Sequence, residues 1–342
     1  MSRRLVRPLF LPLSLMLITT AALVVPMPVF LESPGDVLGL AERVTVDAPG
    51  AGEVDGDFLL TTVFLEPGTM VGLVGGWLDE EVRAIPSTSL LPPGVDSRQY
   101  FDRQRDLFRE TSDVAAAVGL RAAGYDVDVE DFTGDGALVV EVVPGSPAAG
   151  LLRPGDVIVA AGRRDVHVAQ DLRDRITAVG EGAPLELTVE RDGEPSPVQV
   201  TPAAVPGVSD SPIIGIGLET LNPRTDLPVP VEVDSGRVGG PSAGLMIALT
   251  VYDKADPADL ADGRRIAGTG TIGADGRVGP IGGITQKVLA AARQDVDVFL
   301  APGAQMETAR AAVPSSSDLE VIGVATFDDA VRALRSEVTA LR

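Results

Sequence analysis

The spacing of apolar and polar residues divides this chain into four stretches. Between Arg7 and Glu32 no residue carries a charge, and Leu, Val and Met dominate. At roughly 1.5 Å per helical residue, about 20 apolar residues span a bilayer, so Pro8 to Leu31 is long enough to cross one. Arg3, Arg4 and Arg7 stand before it, and basic residues ahead of a span keep that end cytoplasmic. Residues 1–31 therefore read as a single-pass transmembrane signal anchor in the cell membrane, with the rest of the chain extracellular. A cleaved signal peptide is the rival reading.

Alternation sets in beyond the anchor. Arg43 to Val46 and Asp57 to Leu65 are rich in β-branched and aromatic residues and predict strands. Ser97 to Val118 is charged with helical period, so residues 32–119 read as a membrane-proximal α+β region. From 120 to 205 the pattern becomes strand (Ala137 to Val143), turn and short helix (Pro144 to Leu151), turn and strand (Pro154 to Gly162), helix (Ala169 to Val179), and strand (Leu185 to Gly193). Residues 207–342 carry strands at Ile213 to Leu218, Pro230 to Val233, Val296 to Leu300 and Leu319 to Ile322. Helices are expected after Pro241, from Ile284 to Arg293, and from Phe327 to Leu341.

Composition then removes whole classes of function. The formal charge of −21 argues against nucleic acid, which needs a cationic face. There is no cysteine and a single histidine, His167, so a thiol nucleophile, a cysteine metal site and a multi-histidine metal site are all ruled out. Of the 28 Lys+Arg only Lys254 and Lys287 are lysine. Arginine cannot serve as a base, whereas a buried lysine can lose its proton.

Lys287 follows Gly282-Gly283-Ile284-Thr285-Gln286, and its helical neighbours Gly283, Ile284, Ala290 and Ala291 are uncharged. Desolvation lowers the pKa of a lysine in such surroundings. Upstream, Ser242 lies in Gly239-Gly240-Pro241-Ser242-Ala243-Gly244. Pro241 suits the first helical position, and unpaired N–H groups at a helix start attract a developing oxyanion. Gly239, Gly240 and Ala243 leave room for a substrate backbone. Ser242 as nucleophile with Lys287 as its base is one reading; an N-cap serine and a solvated lysine on ordinary helices is the other.

Two family resemblances carry this further. The phrase Val143-Pro144-Gly145-Ser146-Pro147-Ala148-Ala149-Gly150-Leu151, followed by Gly155-Asp156-Val157-Ile158, closely resembles a bacterial PDZ domain. That resemblance implies a β-barrel capped by helices, which binds peptide as an added strand. Its peptide loop is expected at Gly124 and Tyr125, leading into Val127. Gly240-Pro241-Ser242-Ala243-Gly244, then Gly268-Thr269-Gly270-Thr271, then Gly276-Arg277-Val278-Gly279 and Lys287, resemble the proteolytic domain of Lon peptidases. This resemblance implies an α+β fold with Ser242 and Lys287 on neighbouring helices, Thr269 helping to hold the lysine amine, and a homo-oligomeric ring.

No phosphate-loop phrase occurs, so no ATP is expected, nor any other cofactor. Anchor, PDZ and Lon-type units in that order resemble the membrane-anchored PDZ-Lon proteases of Gram-positive bacteria, an α+β multidomain class acting on protein or peptide substrates. The competing expectation is a PDZ adaptor or scaffold whose protease domain is inactive.

Overall fold

The computed structural model describes residues 23, 25–49, 51, 55–79, 81–91, 97–127, 132–205, 209–222, 224–256 and 260–341. In chain order, the elements that matter for function begin with strands β1 (Pro26–Gly39), β2 (Val44–Val46) and β3 (Asp57–Thr69), followed by helix α1 (Met70–Leu78), strand β4 (Arg83–Pro86) and helix α2 (Ser97–Ala122). Next are β5 (Ala137–Val142), β6 (Val157–Ala161), α3 (Ala169–Val179), β7 (Leu185–Arg191), β8 (Glu194–Val200) and β9 (Ile216–Thr220). The chain ends with β10 (Val231–Val233), α4 (Gly244–Ala255), β11 (Arg265–Gly268), α5 (Ile284–Ala292), β12 (Val298–Pro302), β13 (Glu320–Val324) and α6 (Phe327–Leu341).

These elements form two compact units. One comprises residues up to 91, 95–125 and 229–342; the other is essentially 126–228. The first is built on a six-stranded mixed sheet in the order β13-β12-β11-β3-β1-β4. Strands β11 to β13 run parallel to one another, and β11 runs parallel to β3; β1 is antiparallel to both β3 and β4. Apolar side chains of β3, β11, β12 and β13 (Leu59, Ala267, Phe299, Val321) meet Ile284, Val288 and Ala291 of α5 in one buried cluster. Burying a Phe or Leu side chain contributes about 1.5–3 kcal/mol, so α5 is seated mainly by this apolar face.

The expected separate region 32–119 is thus corrected. It supplies β1, β3, β4 and α2 to the same unit as the chain's last third. The decisive contacts are non-local: Arg265 pairs with Asp57 across a parallel ladder, and Thr61 Oγ1 donates to the Gly268 carbonyl at 3.1 Å.

The anchor expected at 1–31 is also changed at its outer end. Pro26 to Leu31 lie in β1, with Phe30 paired to Ile85 of β4 and Leu31 to Glu66 of β3. Pro26 and Pro28 oppose helix, and Phe30 is buried in the unit. Residues 1–22 of that segment lie outside the described residues. Among the described residues no helix is long and apolar enough to cross a membrane.

The second unit is an antiparallel sheet in the order β8-β7-β6-β5-β9 with α3 packed beside it. Among the described residues β8 and β9 stand at the two ends of this row. The short helix expected near Pro144 to Leu151 is a succession of turns. Val139, Ile158, Leu172, Leu187 and Val189 form its core. The Gly155-Asp156 phrase has a structural task. Asp156 is fully buried and accepts both Nε (2.8 Å) and Nη2 (2.7 Å) of Arg191, along with the Arg153 N–H at 2.9 Å. The Arg191 hydrogen bond holds its carboxyl below the ordinary aspartate range. The unit's boundary also moves. Residues 213–218, expected with the last third, contribute β9, which pairs with β5.

Candidate active site

Helix α4 is preceded by a single 3-10 turn, Pro241–Ala243. The fixed φ of Pro241 opens that turn, and the Gly244 N–H closes it on the Pro241 carbonyl. Ser242 is half-buried at this point, while α4 behind it is almost wholly buried. The α-helix proper therefore begins two residues beyond Ser242, not at Pro241.

Lys287 sits one turn into α5, on the face that carries Ile284, Val288 and Ala291, and is 3% exposed. Its Nζ lies 2.6 Å from Ser242 Oγ and 3.0 Å from Thr269 Oγ1. Thr269 is fully buried, and its hydroxyl donates to the Ser242 carbonyl at 3.0 Å. The Gly270 N–H donates to that same carbonyl at 2.9 Å. Two turns and one helix are therefore tied together through Ser242, Thr269 and Lys287, the three residues singled out by sequence.

The backbone around Thr269 is tightly packed. A Cβ on Gly268 would lie 2.6 Å from Met246 Sδ, and one on Gly270 would lie 2.7 Å from Val278 Cγ1. Glycine on both sides lets the threonine reach the lysine. Burial pushes Lys287 down from 10.5 to about 7, and the Glu32 carboxylate pulls against that shift. Such an amine can be neutral near physiological pH and hold a lone pair toward a hydroxyl 2.6 Å away.

Glu32 is the residue sequence reading missed. It is 5% exposed, on β1, with Oε2 ion-paired at 2.8 Å to Nη2 of Arg83 on β4. Its Oε1 lies against Gly283, the residue that starts α5. Glu32 is the first charge after the long apolar run, and it looked like the polar end of an anchor. The isolated acid in Phe30-Leu31-Glu32-Ser33-Pro34 was the available signal.

The residues expected to assist an oxyanion divide. Ala243 is buried in the turn beside Ser242. The Gly240 N–H is already committed, donating to the Gln104 carbonyl of α2 at 2.7 Å, so it is not free to meet an oxyanion. Gly239 is exposed and packs against the Gln104 backbone. The first N–H groups of a helical turn have no partner within it, which makes those of Ser242 and Ala243 the candidates to meet an oxyanion.

The expected peptide loop is corrected as well. Gly124 and Tyr125 end α2 in the first unit. Gly124, at φ 93°, donates its N–H to Arg121, and Tyr125 donates to Leu120. This is a helix C-terminal turn. Val127 is buried at the start of the second unit. The end strand next to α3 is instead β9, preceded by Gly215 at φ 73°. Arg173 of α3 donates to the Leu218 carbonyl of β9 at 3.1 Å. Gly215-Ile216-Gly217, two glycines around an apolar residue, was the sequence signal for this edge.

Comparison with known proteins finds two matching stretches. Residues 113–201 match the family model of the PDZ domain, and residues 224–336 match that of the Lon protease (S16) C-terminal proteolytic domain. The chain is thus similar to a PDZ domain and to a Lon-type proteolytic domain over these two stretches.

A DegP-like probable periplasmic serine endoprotease of Chlamydia trachomatis is 32% identical over 136 residues, covering 38% of this chain and 26% of its own. Its namesake in Rhizobium meliloti is 30% identical over 169 residues, 49% of this chain and 30% of its own. The Lon protease of Campylobacter jejuni is 36% identical over 96 residues, 26% of this chain and 11% of its own. The chain thus spans less than a third of the length of these curated relatives. A crystal structure of the PDZ domain of an SdrC-like protein from Listeria monocytogenes is 26% identical, covering 25% of this chain and 90% of its own, at TM-score 0.23. The match to the Lon proteolytic domain includes Ser242, Thr269 and Lys287, and the PDZ match includes α3 and the buried Asp156.

Proposed function

We propose that this chain is a membrane-anchored, ATP-independent serine endopeptidase. It would cleave unfolded or flexible extracytoplasmic proteins with a Ser242–Lys287 dyad. The observation that carries the reading is the buried Lys287 amine, 2.6 Å from the Ser242 hydroxyl. In the first step neutral Nζ takes the Oγ proton while Oγ bonds to the scissile carbonyl carbon. The oxyanion that forms is met by the N–H groups of Ser242 and Ala243. The Lys287 ammonium then gives its proton to the leaving amine as the C–N bond breaks. Water, deprotonated by the same lysine, releases the acyl group from Ser242. Thr269 keeps the amine aimed throughout.

The membrane anchor and extracellular placement rest on the uncharged run behind Arg3, Arg4 and Arg7. The PDZ domain guides substrate, and the edge of β9 beside α3 supports strand addition there. The ring suggested by the Lon resemblance belongs to the same proposal.

The test is cleavage of casein by the full chain without ATP, wild type beside Ser242→Ala and Lys287→Arg. Activity in wild type and a loss of at least roughly 10³-fold in both variants is expected. Equal background in all three, with each still folded, would replace the protease by the scaffold reading.

A further inference from the structure

Helix α1, Met70–Leu78, reads Met-Val-Gly-Leu-Val-Gly-Gly-Trp-Leu and contains no charge and no buried residue. Its start is well made: the Thr69 hydroxyl accepts the Gly72 N–H at 3.1 Å. Its inner side is glycine. Gly72 lies against Leu31 of β1, and Gly76 against Val82. Its outer side is a stripe at helical spacing, Met70, Val71, Val74, Trp77 and Leu78, all exposed, with Trp77 84% exposed. Phe64 on β3 is exposed too. A contiguous apolar patch of this kind marks a contact surface.

What covers it follows from where the chain comes from. Pro26, where the uncharged run enters β1, is paired with Thr69, the residue that caps α1. Leu23 and Val25, just before it, are exposed. The apolar helix therefore starts at the corner where a run long enough to cross a bilayer joins the folded unit. Trp is favoured at the membrane–water boundary, and Trp77 ends the stripe. Glu66 and Asp79 flank the helix, and Glu81 beyond it is ion-paired with Arg293, which favours an uncharged lipid surface over an anionic one.

We propose that α1 is an interfacial membrane contact, its Met70–Val74–Trp77–Leu78 side lying in the headgroup boundary of the bilayer that holds the N-terminal segment. Two attachments then fix the unit against the membrane: the anchor and, beside it, α1. The inference rests on the membrane reading of residues 1–31 and is independent of the dyad.

Trp77 is the only tryptophan, so its fluorescence reports on this helix alone. The full chain is reconstituted into phosphatidylcholine vesicles with and without acyl-chain bromination, and flotation is scored in parallel. The expected result is flotation, with brominated lipid lowering Trp77 emission by half or more. A Val74→Asp, Leu78→Asp double variant, changed only at exposed positions, should still float and lose that quenching. Flotation of wild type without quenching would overturn the inference. So would shielding of Trp77 from aqueous iodide that depends on protein concentration and not on brominated lipid, which would make the patch a contact between copies. Failure to float would overturn both the anchor and this inference, while casein cleavage would still decide the protease reading.

Discussion

Glu32 and Gly283 touch where helix α5 begins: a Cβ on Gly283 would stand 2.8 Å from Glu32 Oε1. Gly283 has φ 67°, so no other residue suits the position in either conformation or space. A carboxylate at a helix start is stabilising, and here it sits one turn from the buried amine of Lys287. It also offsets part of the loss of charge that burial imposes on that amine.

Glu32 therefore raises the pH at which the amine loses its proton, against the larger effect of burial. Glu32→Gln removes a negative charge that favours the ammonium, so the acid limb of the pH–rate profile is predicted to move to lower pH by roughly half a unit or more. Arg83→Gln leaves the carboxylate without its cation and is predicted to move the limb the other way. Profiles of kcat/KM for both variants decide this. Shifts in the same direction would mean that only packing had changed.

For the unaltered protein the limb itself is informative. A base with a pKa of about 7 must be neutral to act, so kcat/KM is predicted to fall about tenfold per pH unit below pH 7 and to level off above it. The profile of casein-peptide cleavage from roughly pH 5 to 10 is the check. A limb near pH 10 would describe an ordinary solvated lysine and would exclude this mechanism.

Thr269 is a positioning residue. Its hydroxyl spans the Lys287 amine and the Ser242 carbonyl at 3.0 Å each. Thr269→Val keeps the shape and loses both bonds, and is predicted to lower kcat by about 10²-fold, with KM little changed. Thr269→Ser should restore most of the rate. A change confined to KM, or no rescue by serine, would assign the residue to packing alone.

Lys287 also makes stability depend on pH. Its folded pKa of about 7 lies below the unfolded value of 10.5, so between these two the unfolded chain binds more protons. Stability attributable to this group is predicted to rise from pH 7 to pH 10.5, with the penalty fully present below 7. Lys287→Met removes the group and should flatten that rise, by a few kcal/mol at ~1.4 kcal/mol per unit. Urea unfolding of both proteins at neutral and alkaline pH measures it. Parallel curves would show that the amine is not desolvated in the folded state.

The sequence made the local parts of this structure legible. Helices α3 and α6 fall at the expected residues because periodicity and boundaries coincide, and the Ser242 and Lys287 phrases identify groups that the fold brings to 2.6 Å. The remainder depends on distant pairing. Nothing near Asp57 announces that it will pair with Arg265, so β1, β3 and β4 could not be assigned to the sheet that carries α5. Gly124 was read as a binding loop because a glycine after a helix and a glycine before a strand look alike in sequence. Glu32 was concealed by the apolar run before it, whose end proved to be a paired strand.

The second unit is inserted into the first, entered after α2 and left before β10, and this governs when the site can assemble. On the ribosome β1, β3 and α2 emerge first, then roughly a hundred residues of the other unit, and only afterwards β11, which flanks β3 on its other side. A loop of that size costs entropy to close unless the inserted domain folds and brings its own ends under control. Ser242 and Lys287 both belong to the late segment. A growing chain thus cannot bring Ser242 and Lys287 against β1 and β3 until the inserted unit has been made, a delay written into the order of the segments.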